Sequence, residues 1–145
     1  MTPEMAGRLA LFVSPNDEDQ WALIHILRPE GWAVDTARTC AEAMRSLEME
    51  MAPVVIVESD LPDGTWKALQ NHLVRMEFPP KLIVTSRLAD ERLWAEVLNL
   101  GGFDVLAQPF NTGEALRCIG SACRHWHEEW SKAHAEDEAA GAMNA

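Results

Sequence analysis

Short apolar runs recur along the chain at a regular spacing, and polar segments separate them. The runs cover residues 9–13, 32–36, 54–58, 81–85 and 105–107. Their centres lie roughly 20–27 residues apart, which leaves room for one strand, one helix and two short loops in each repeat. The first, third and fourth runs are almost purely aliphatic, as in central parallel strands that are buried on both faces. The second run alternates apolar and polar residues, which predicts a half-exposed edge strand.

The segments between the runs carry helical patterns. Thr39 with Glu42, and Asn111 with Glu114, each pair a polar cap with a glutamate three positions later, as in a capping box. Gly101 begins a Gly-Gly pair that predicts a helix end in the left-handed region. Strand and helix therefore alternate five times, which predicts an α/β fold with a parallel five-stranded sheet between two helical layers. From about residue 133 the chain is rich in Ala, Glu and Asp, and we expect a flexible tail there.

Composition narrows the classes of function. The formal net charge of −11 argues against binding to nucleic acid or to an anionic membrane surface. The apolar runs are too short to cross a bilayer, and the N-terminus lacks the pattern of a signal peptide. The chain has 3 cysteines, without metal-type spacing, which fits a reduced compartment. We therefore expect a cytoplasmic protein.

Candidate chemistry lies where the strands end. In open parallel sheets, ligands and reacting groups collect at the carboxyl ends of the strands. That rule selects residues 14–17, 58–60, 85–86 and 108–110. These segments contain no glycine-rich phosphate loop, and the chain offers no Ser-His-Asp set and no histidine pair at metal-ligand spacing. The residues alone therefore predict neither a catalytic centre nor a metal site.

Three short motifs carry a resemblance to a known family. They are Glu-Ser-Asp-Leu-Pro-Asp-Gly at 58–64, Leu-Ile-Val-Thr-Ser at 82–86 and Gln-Pro-Phe at 108–110. With the five-unit order, they make residues 8–127 resemble the receiver domain of bacterial two-component response regulators. The resemblance implies a flavodoxin-like (βα)5 three-layer sandwich with strand order 2-1-3-4-5. The implied organisation is a leader at 1–8, a receiver-like domain at 9–127, and the end of the last helix with an acidic flexible tail at 128–145.

The resemblance also assigns the family's site positions. Receivers end the first strand with two acidic residues that hold Mg²⁺, accept phosphate on an aspartate after the third strand, and carry a Thr or Ser, an aromatic switch residue and a Lys further on. The corresponding residues here are Ser14 and Pro15, Glu58, Thr85, Val105 and Gln108. Only Thr85 keeps the family's residue type.

These departures point towards a degenerate site. Ser14 and Pro15 remove two carboxylates, so Mg²⁺ binding is expected to be weak or absent, and no other cofactor is expected. Glu58 is one methylene longer than aspartate, which misplaces it for in-line attack on a phosphoryl group. Gln108 offers Glu58 a neutral hydrogen-bond donor in place of the family's lysine. We therefore predict a pseudo-receiver that is no enzyme and acts, independently of phosphorylation, as a protein–protein interaction module in signal transduction.

Several alternatives remain open. Asp17 or Asp19 could replace the metal ligands, although capping or solvation of the first helix is the simpler role. Asp60 could be a displaced phosphoacceptor rather than a turn residue. Thr85 could retain a switch role or only bond backbone. The alternative functions are a phosphoaccepting receiver with a rearranged site, and a small-ligand binder at the point where strand order reverses.

The chain has 6 tryptophans, which suggest both core and contact roles. Trp21, Trp66 and Trp126 fall on apolar helical stripes and are predicted to be core residues. Trp94 lies off such a stripe on the fourth helix, and Trp130 lies late in the last helix. For both, burial within the fold is the alternative to a contact with another protein. Receivers commonly use the face formed by the fourth helix, fifth strand and fifth helix to contact proteins. Trp94, Val105 and Trp130 are therefore candidates for an interface, with a homodimer as one arrangement.

Overall fold

The computed structural model describes the backbone of residues 7–144 and the side chains of residues 7–135. Its strands are β1 Leu9–Val13, β2 Ala33–Ala37, β3 Val54–Glu58, β4 Asp60–Leu61, β5 Gly64–Thr65, β6 Lys81–Ser86 and β7 Asp104–Ala107. Its helices are α1 Asp17–Leu27, α2 Cys40–Met49, α3 Trp66–Leu73, α4 Glu91–Asn99 and α5 Thr112–Asn144, with a 3-10 turn at Arg28–Glu30. Most of the predicted leader lies outside the described residues.

The main sheet has five parallel strands in the order β2-β1-β3-β6-β7. The numbering differs from the predicted 2-1-3-4-5 because β4 and β5, which were not predicted, pair with each other in a separate antiparallel hairpin. This hairpin forms around the Leu-Pro-Asp-Gly turn, where Gly64 takes a φ of 148° that favours glycine. As the alternating pattern of residues 32–36 predicts, β2 is an edge strand.

The core lies on both faces of the sheet. Side chains alternate along a strand, so Leu11 and Val57 pack on the face covered by α2, α3 and α4, whereas Phe12 and Ile56 pack against α1 and α5. All four are essentially buried, which explains why the central runs are aliphatic without alternation. Burial of each such side chain stabilises the fold by about 1.5–3 kcal/mol.

The start of α2 carries one half of the predicted capping box and an additional cap. The Thr39 hydroxyl accepts from Glu42 N at 3.1 Å as predicted, but the Glu42 carboxylate accepts from the backbone of Arg38, one residue before the cap, at 2.8 Å. In addition, Asp63 in the hairpin turn accepts hydrogen bonds from the backbone of Cys40 at 2.9 Å and Ala41 at 3.1 Å. The hydrogen bond from Cys40 N is the main cause of the lowered pKa of Asp63. The hairpin is thereby fixed to the first turn of α2.

The end of α4 depends on the glycine pair. Gly101 has a φ of 90°, as the predicted left-handed helix end requires. A Cβ on Gly102 would lie 2.4 Å from Val97 Cγ1 and 3.0 Å from the Val97 carbonyl oxygen. Because Val97 is fully buried, only glycine fits this approach between α4 and β7.

The tryptophans divide between core and surface, and one prediction is wrong. Trp66 and Trp126 are buried as predicted, but Trp21 is 64% exposed and stacks on His25 at a ring separation of 3.7 Å. The inward stripe of α1 passes instead through Leu23 and Leu27, so Trp21 lies on the outer side of the helix.

The last helix is longer than predicted. The backbone of α5 is helical to Asn144, where a flexible tail was expected from about residue 133. Alanine and glutamate favour helix, and this segment contains no proline to stop it. In the described part of the chain, no helix is both long enough and apolar enough to cross a membrane.

Candidate functional site

The carboxyl ends of four strands meet at a small polar cleft. Ser14 follows β1, Glu58 ends β3, Thr85 lies in β6 and Gln108 follows β7. Glu58 and Thr85 are partners in the register of neighbouring strands, and Gln108 N donates to the Ser86 carbonyl at 3.0 Å. The sheet therefore brings together the residues that the carboxyl-end rule selects.

Glu58 is the centre of a hydrogen-bond network. Its Oε1 accepts from the hydroxyl of Ser14 at 2.8 Å and from Nε2 of Gln108 at 3.2 Å. The hydrogen bond to Gln108 was predicted. Ser14 is fully buried, and its hydroxyl oxygen also accepts from Asn16 N at 3.1 Å. The carboxylate thus has neutral donors from both sides of the cleft.

The sequence did not predict that two residues of the cleft, Asp19 and Arg87, pair with each other. Asp19 and Arg87 form a two-point ion pair, with Nη1 to Oδ2 at 3.1 Å and Nη2 to Oδ1 at 2.9 Å. Asp19 is buried and neither caps nor solvates α1, because the Asn16 side chain accepts from Asp19 N as the cap. Asp17, the other residue considered for that role, pairs with Arg38 at the surface.

A sequence signal for Asp19 did exist. Asp19, Leu23 and Leu27 are the buried residues of α1, and they follow each other at intervals of four. An acid on the inward stripe of a helix points into the fold and needs a partner there. Arg87 directly follows the selected segment at the end of β6, so the carboxyl-end rule stopped one residue short of it.

The two carboxyl groups of the cleft titrate differently because of their surroundings. Burial raises the pKa of Glu58, and its hydrogen-bonding contact with Asp19 raises it further, against the lowering effect of the Ser14 hydroxyl. Burial also opposes ionisation of Asp19, but the hydrogen bonds and charge of Arg87 outweigh it and the pKa of Asp19 is lowered. The surroundings thus favour the ionised form of Asp19, which Arg87 stabilises, and disfavour the ionised form of Glu58.

Solved structures resemble this arrangement of strands and helices. The signal receiver domain of an HD domain-containing protein from Pseudomonas fluorescens Pf-5 superposes with a TM-score of 0.77, at 22% identity over 85% of this chain and 91% of that chain. The beryllofluoride-activated NtrC4 receiver domain dimer gives 0.76, at 23% identity over 82% of this chain and 98% of that chain. The chain has the receiver fold.

Comparison of sequences gives weaker support for this fold than comparison of structures does. The chain is 24% identical over 127 residues to the DNA-binding transcriptional regulator NtrC of Proteus hauseri. The match covers 86% of this chain but 26% of that protein, so the chain spans about a quarter of the length of this relative. No protein-family model matches the chain.

In this receiver fold, the residues of the cleft do not fit Mg²⁺. Mg²⁺ prefers octahedral oxygen ligation with carboxylates. Ser14 offers a hydroxyl that already donates to Glu58, while the Pro15 carbonyl accepts from Arg38 at 2.9 Å. Asp19, the proposed substitute ligand, is committed to Arg87. Among the described residues, no group of three or more His, Cys, Asp or Glu side chains is placed to hold a metal ion.

Of two further candidate residues, Thr85 is buried in β6 and Asp60 is exposed in the β4–β5 hairpin. Thr85 is fully buried, and its hydroxyl has no hydrogen-bond partner among the described residues, so the bond to backbone, one of the two alternatives for this residue, is not formed. A buried hydroxyl without a partner costs free energy relative to one that is hydrogen-bonded. Asp60 is exposed in the β4–β5 hairpin, outside the network around Glu58.

The predicted interface residues lie at two separate places. Trp94 is 51% exposed and, with the partly buried Val105, lines a shallow groove of about 260 Å³ between α4, β7 and the start of α5. Acidic side chains of Asp90, Glu91 and Glu114 also line it. Trp130 instead packs within the chain, at 4.9 Å from Phe78 and 5.6 Å from Trp126 between ring centroids. Trp130 therefore makes ring contacts within the chain, in line with the alternative of burial for this residue.

Proposed function

We propose that the chain is a pseudo-receiver of the response-regulator family, a non-enzymatic cytoplasmic module that binds signalling proteins without being phosphorylated. The observation that carries this proposal is the hydrogen-bond network around Glu58. One of its two carboxyl oxygens, Oε1, already accepts two hydrogen bonds, from Ser14 and Gln108. The receiver fold of the chain supports its place in the family. The departures from the family's pattern at residues 14, 15, 58 and 108 support a receiver that is not phosphorylated.

The chemistry of phosphoryl transfer explains why such a cleft is inactive. Transfer needs a positioned nucleophile and cationic groups that neutralise the charge of the phosphoryl oxygens. The guanidinium of Arg87 is the cation near Glu58, and both of its terminal nitrogens are bound to Asp19. An incoming phosphoryl group would have to compete with Asp19 for that cation.

The same network supports a single conformation for the module. Ser14, Glu58 and Gln108 connect the ends of β1, β3 and β7, and the Asp19–Arg87 pair connects α1 to the end of β6. In this proposal, hydrogen bonds hold the module in one conformation, as a phosphoryl group does in an ordinary receiver.

The direct test is incubation with acetyl phosphate and Mg²⁺, followed by measurement of the intact mass. We expect no phosphoryl adduct. As a positive control, the variant that combines Ser14→Asp, Pro15→Asp, Glu58→Asp and Gln108→Lys restores the family's pattern and should gain an adduct, with circular dichroism to confirm its fold. A stoichiometric adduct on the wild-type chain that is lost in Glu58→Ala would overturn the proposal. An adduct lost in Asp60→Asn would identify a rearranged site instead.

We further propose that the groove at Trp94 is the contact face. An indole that is half exposed beside Val105 offers a partner an apolar anchor, and the surrounding carboxylates of Asp90, Glu91 and Glu114 favour a partner with a basic surface. The NtrC4 receiver in the comparison is a dimer, so a second copy of this chain is the alternative occupant.

Matched tryptophan variants test the contact face. Trp94→Ala and Trp21→Ala each remove an exposed indole, one from the groove on α4 and the other from α1. We expect an affinity pull-down with the wild-type chain to retain a partner that Trp94→Ala loses and Trp21→Ala keeps. Light scattering then separates the occupants, because a dimer abolished by Trp94→Ala identifies a second copy. Equal capture by both variants would contradict the assignment of this face.

A further inference from the structure

A second cavity lies at the end of the sheet opposite to Glu58. It has a volume of about 390 Å³ and lies between the end of α2, the segment before β6 and the long helix α5. Its lining includes Met49, Met51, Met76, Phe78, Trp130 and His134. None of these residues takes part in the cleft around Glu58 or in the groove at Trp94, so this cavity has no role in the proposed function.

His134 is held in this cavity in one orientation. Its Nδ1 lies 2.8 Å from the carbonyl oxygen of Trp130, and its ring stacks on the Trp130 indole at 3.9 Å with 15° between the planes. A carbonyl oxygen only accepts, so Nδ1 carries the hydrogen of the neutral ring and Nε2 carries the free lone pair. Histidines that bind metals typically donate their other N–H to a carbonyl or carboxylate in this way.

Three methionines line this cavity, and one of them, Met76, also packs against the core. Of the 7 methionines of the chain, Met49, Met51 and Met76 line this cavity. Met49 is 83% exposed, so burial of its side chain does not account for its place. Methionine has three rotatable side-chain bonds, which lets thioether sulfurs converge on an ion without movement of the backbone. Thioethers are soft ligands that select copper(I) over hard divalent ions.

The charge of the lining favours a cation. Glu48, Glu50 and Glu77 also line the cavity, and no lysine or arginine does so among the residues that the structure describes. Carboxylates around a cavity stabilise a cation inside it without having to bind it directly. The lining thus combines thioether and imidazole groups with carboxylates.

We infer that this cavity binds a soft monovalent metal ion, which in a cell is copper(I). The ligands are the thioether sulfurs of Met49, Met51 and Met76 together with Nε2 of His134. The glutamates of the rim supply the compensating charge. Binding adds the ion and its charge to the protein, with no change of oxidation state and no proton released from a thioether.

Silver(I) is the probe for this site, because it is soft and monovalent and stays in one oxidation state. The full chain, labelled with ¹³C at the methionine methyl groups, is titrated with silver(I) and followed by NMR. We expect the methyl signals of Met49, Met51 and Met76 and the ring signals of His134 to shift together and to saturate at one equivalent. Met44 packs against the core on the same helix as Met49 and is the internal control, whose signal should not move.

Variants separate this site from the thiols, which also bind silver. The chain has buried cysteines at positions 40, 118 and 123, outside the cavity lining. The double variant Met49→Leu with Met76→Leu keeps the apolar volume, and His134→Phe keeps a ring for stacking on Trp130. We expect both variants to lower the silver(I) affinity, as read from the remaining NMR signals of the cavity, by tenfold or more. Met44→Leu should leave this affinity unchanged.

Three results would overturn the inference. One is a silver titration in which the cavity methyl signals stay in place while only signals near the cysteines move. Another is unchanged silver affinity at the cavity in the double methionine variant. The third is zinc(II) moving the His134 signals as strongly as silver(I) does, because that would indicate a histidine–carboxylate site for borderline ions in place of a thioether site.

Discussion

Removal of the Arg87 guanidinium is the most informative perturbation of the cleft. Arg87→Met keeps the aliphatic stem of the side chain but leaves the Asp19 carboxylate buried beside Glu58 without its cation. Loss of one partner from a fully buried ion pair costs about 3–5 kcal/mol. Here the Asp19 side chain is 9% exposed but that of Arg87 is 58% exposed, so solvent screens the pair. We therefore expect a loss of about 1–2 kcal/mol in the free energy of unfolding.

The stability that the Asp19–Arg87 ion pair contributes depends on pH. Arg87 outweighs burial and holds the pKa of Asp19 below its usual value of 3.8, so the ion pair contributes its full stability above that value. The contribution disappears as the pH falls through the lowered pKa, because Asp19 then becomes protonated. The difference between wild type and Arg87→Met should consequently be full at neutral pH and shrink in strong acid.

The assay is urea denaturation of both proteins at neutral pH and in strong acid. Lys67→Met is the matched control, because Lys67 pairs with Glu96 at the surface with side chains that are 51% and 35% exposed. Such pairs contribute about 0.2–1 kcal/mol. The reasoning is refuted if Arg87→Met costs no more than Lys67→Met at neutral pH, or if its cost is the same in strong acid.

Three further predictions concern other contacts of the fold. Burial raises the pKa of Glu58, so ionisation of Glu58 costs stability as the pH rises from 4.5 through the raised value. The Glu58→Gln variant should therefore melt at a higher temperature than wild type at pH 7 and at the same temperature at pH 4. A lower melting temperature of the variant at pH 7 would contradict this prediction. Asp63→Ala removes a cap from α2 and should cost about 1 kcal/mol in urea denaturation, with faster hydrogen exchange in the first turn of that helix; unchanged exchange would exclude a capping role. Gly102→Ala should cost about 1–3 kcal/mol in thermal unfolding, because its Cβ would overlap the buried Val97. Gly120→Ala is its control, since that Cβ meets only the end of a flexible arginine; equal losses would refute the overlap.

The sequence by itself determined the sheet and the position of the cleft. Short, fully apolar runs at this spacing are typical of central strands, and the carboxyl ends of parallel strands must meet at one edge. Ser14, Glu58 and Gln108 therefore had to lie together, and the bond between Glu58 and Gln108 followed from the chemistry of a carboxylate beside an amide. The cap on α2 from the Thr39 hydroxyl was equally predictable, because its donor, Glu42 N, lies within one turn.

The tertiary structure decided what lies between elements that are distant in the chain. Asp19 and Arg87 are 68 positions apart, and only the packing of α1 beside the end of β6 makes one the counter-ion of the other. The same holds for Asp63, which caps a helix that precedes it by more than twenty residues. Trp21 and Trp66 look alike in the sequence, yet one is exposed and the other buried. Local pattern determines whether a residue is in a helix or a strand, but the rotation of each element against its neighbours determines what each side chain meets.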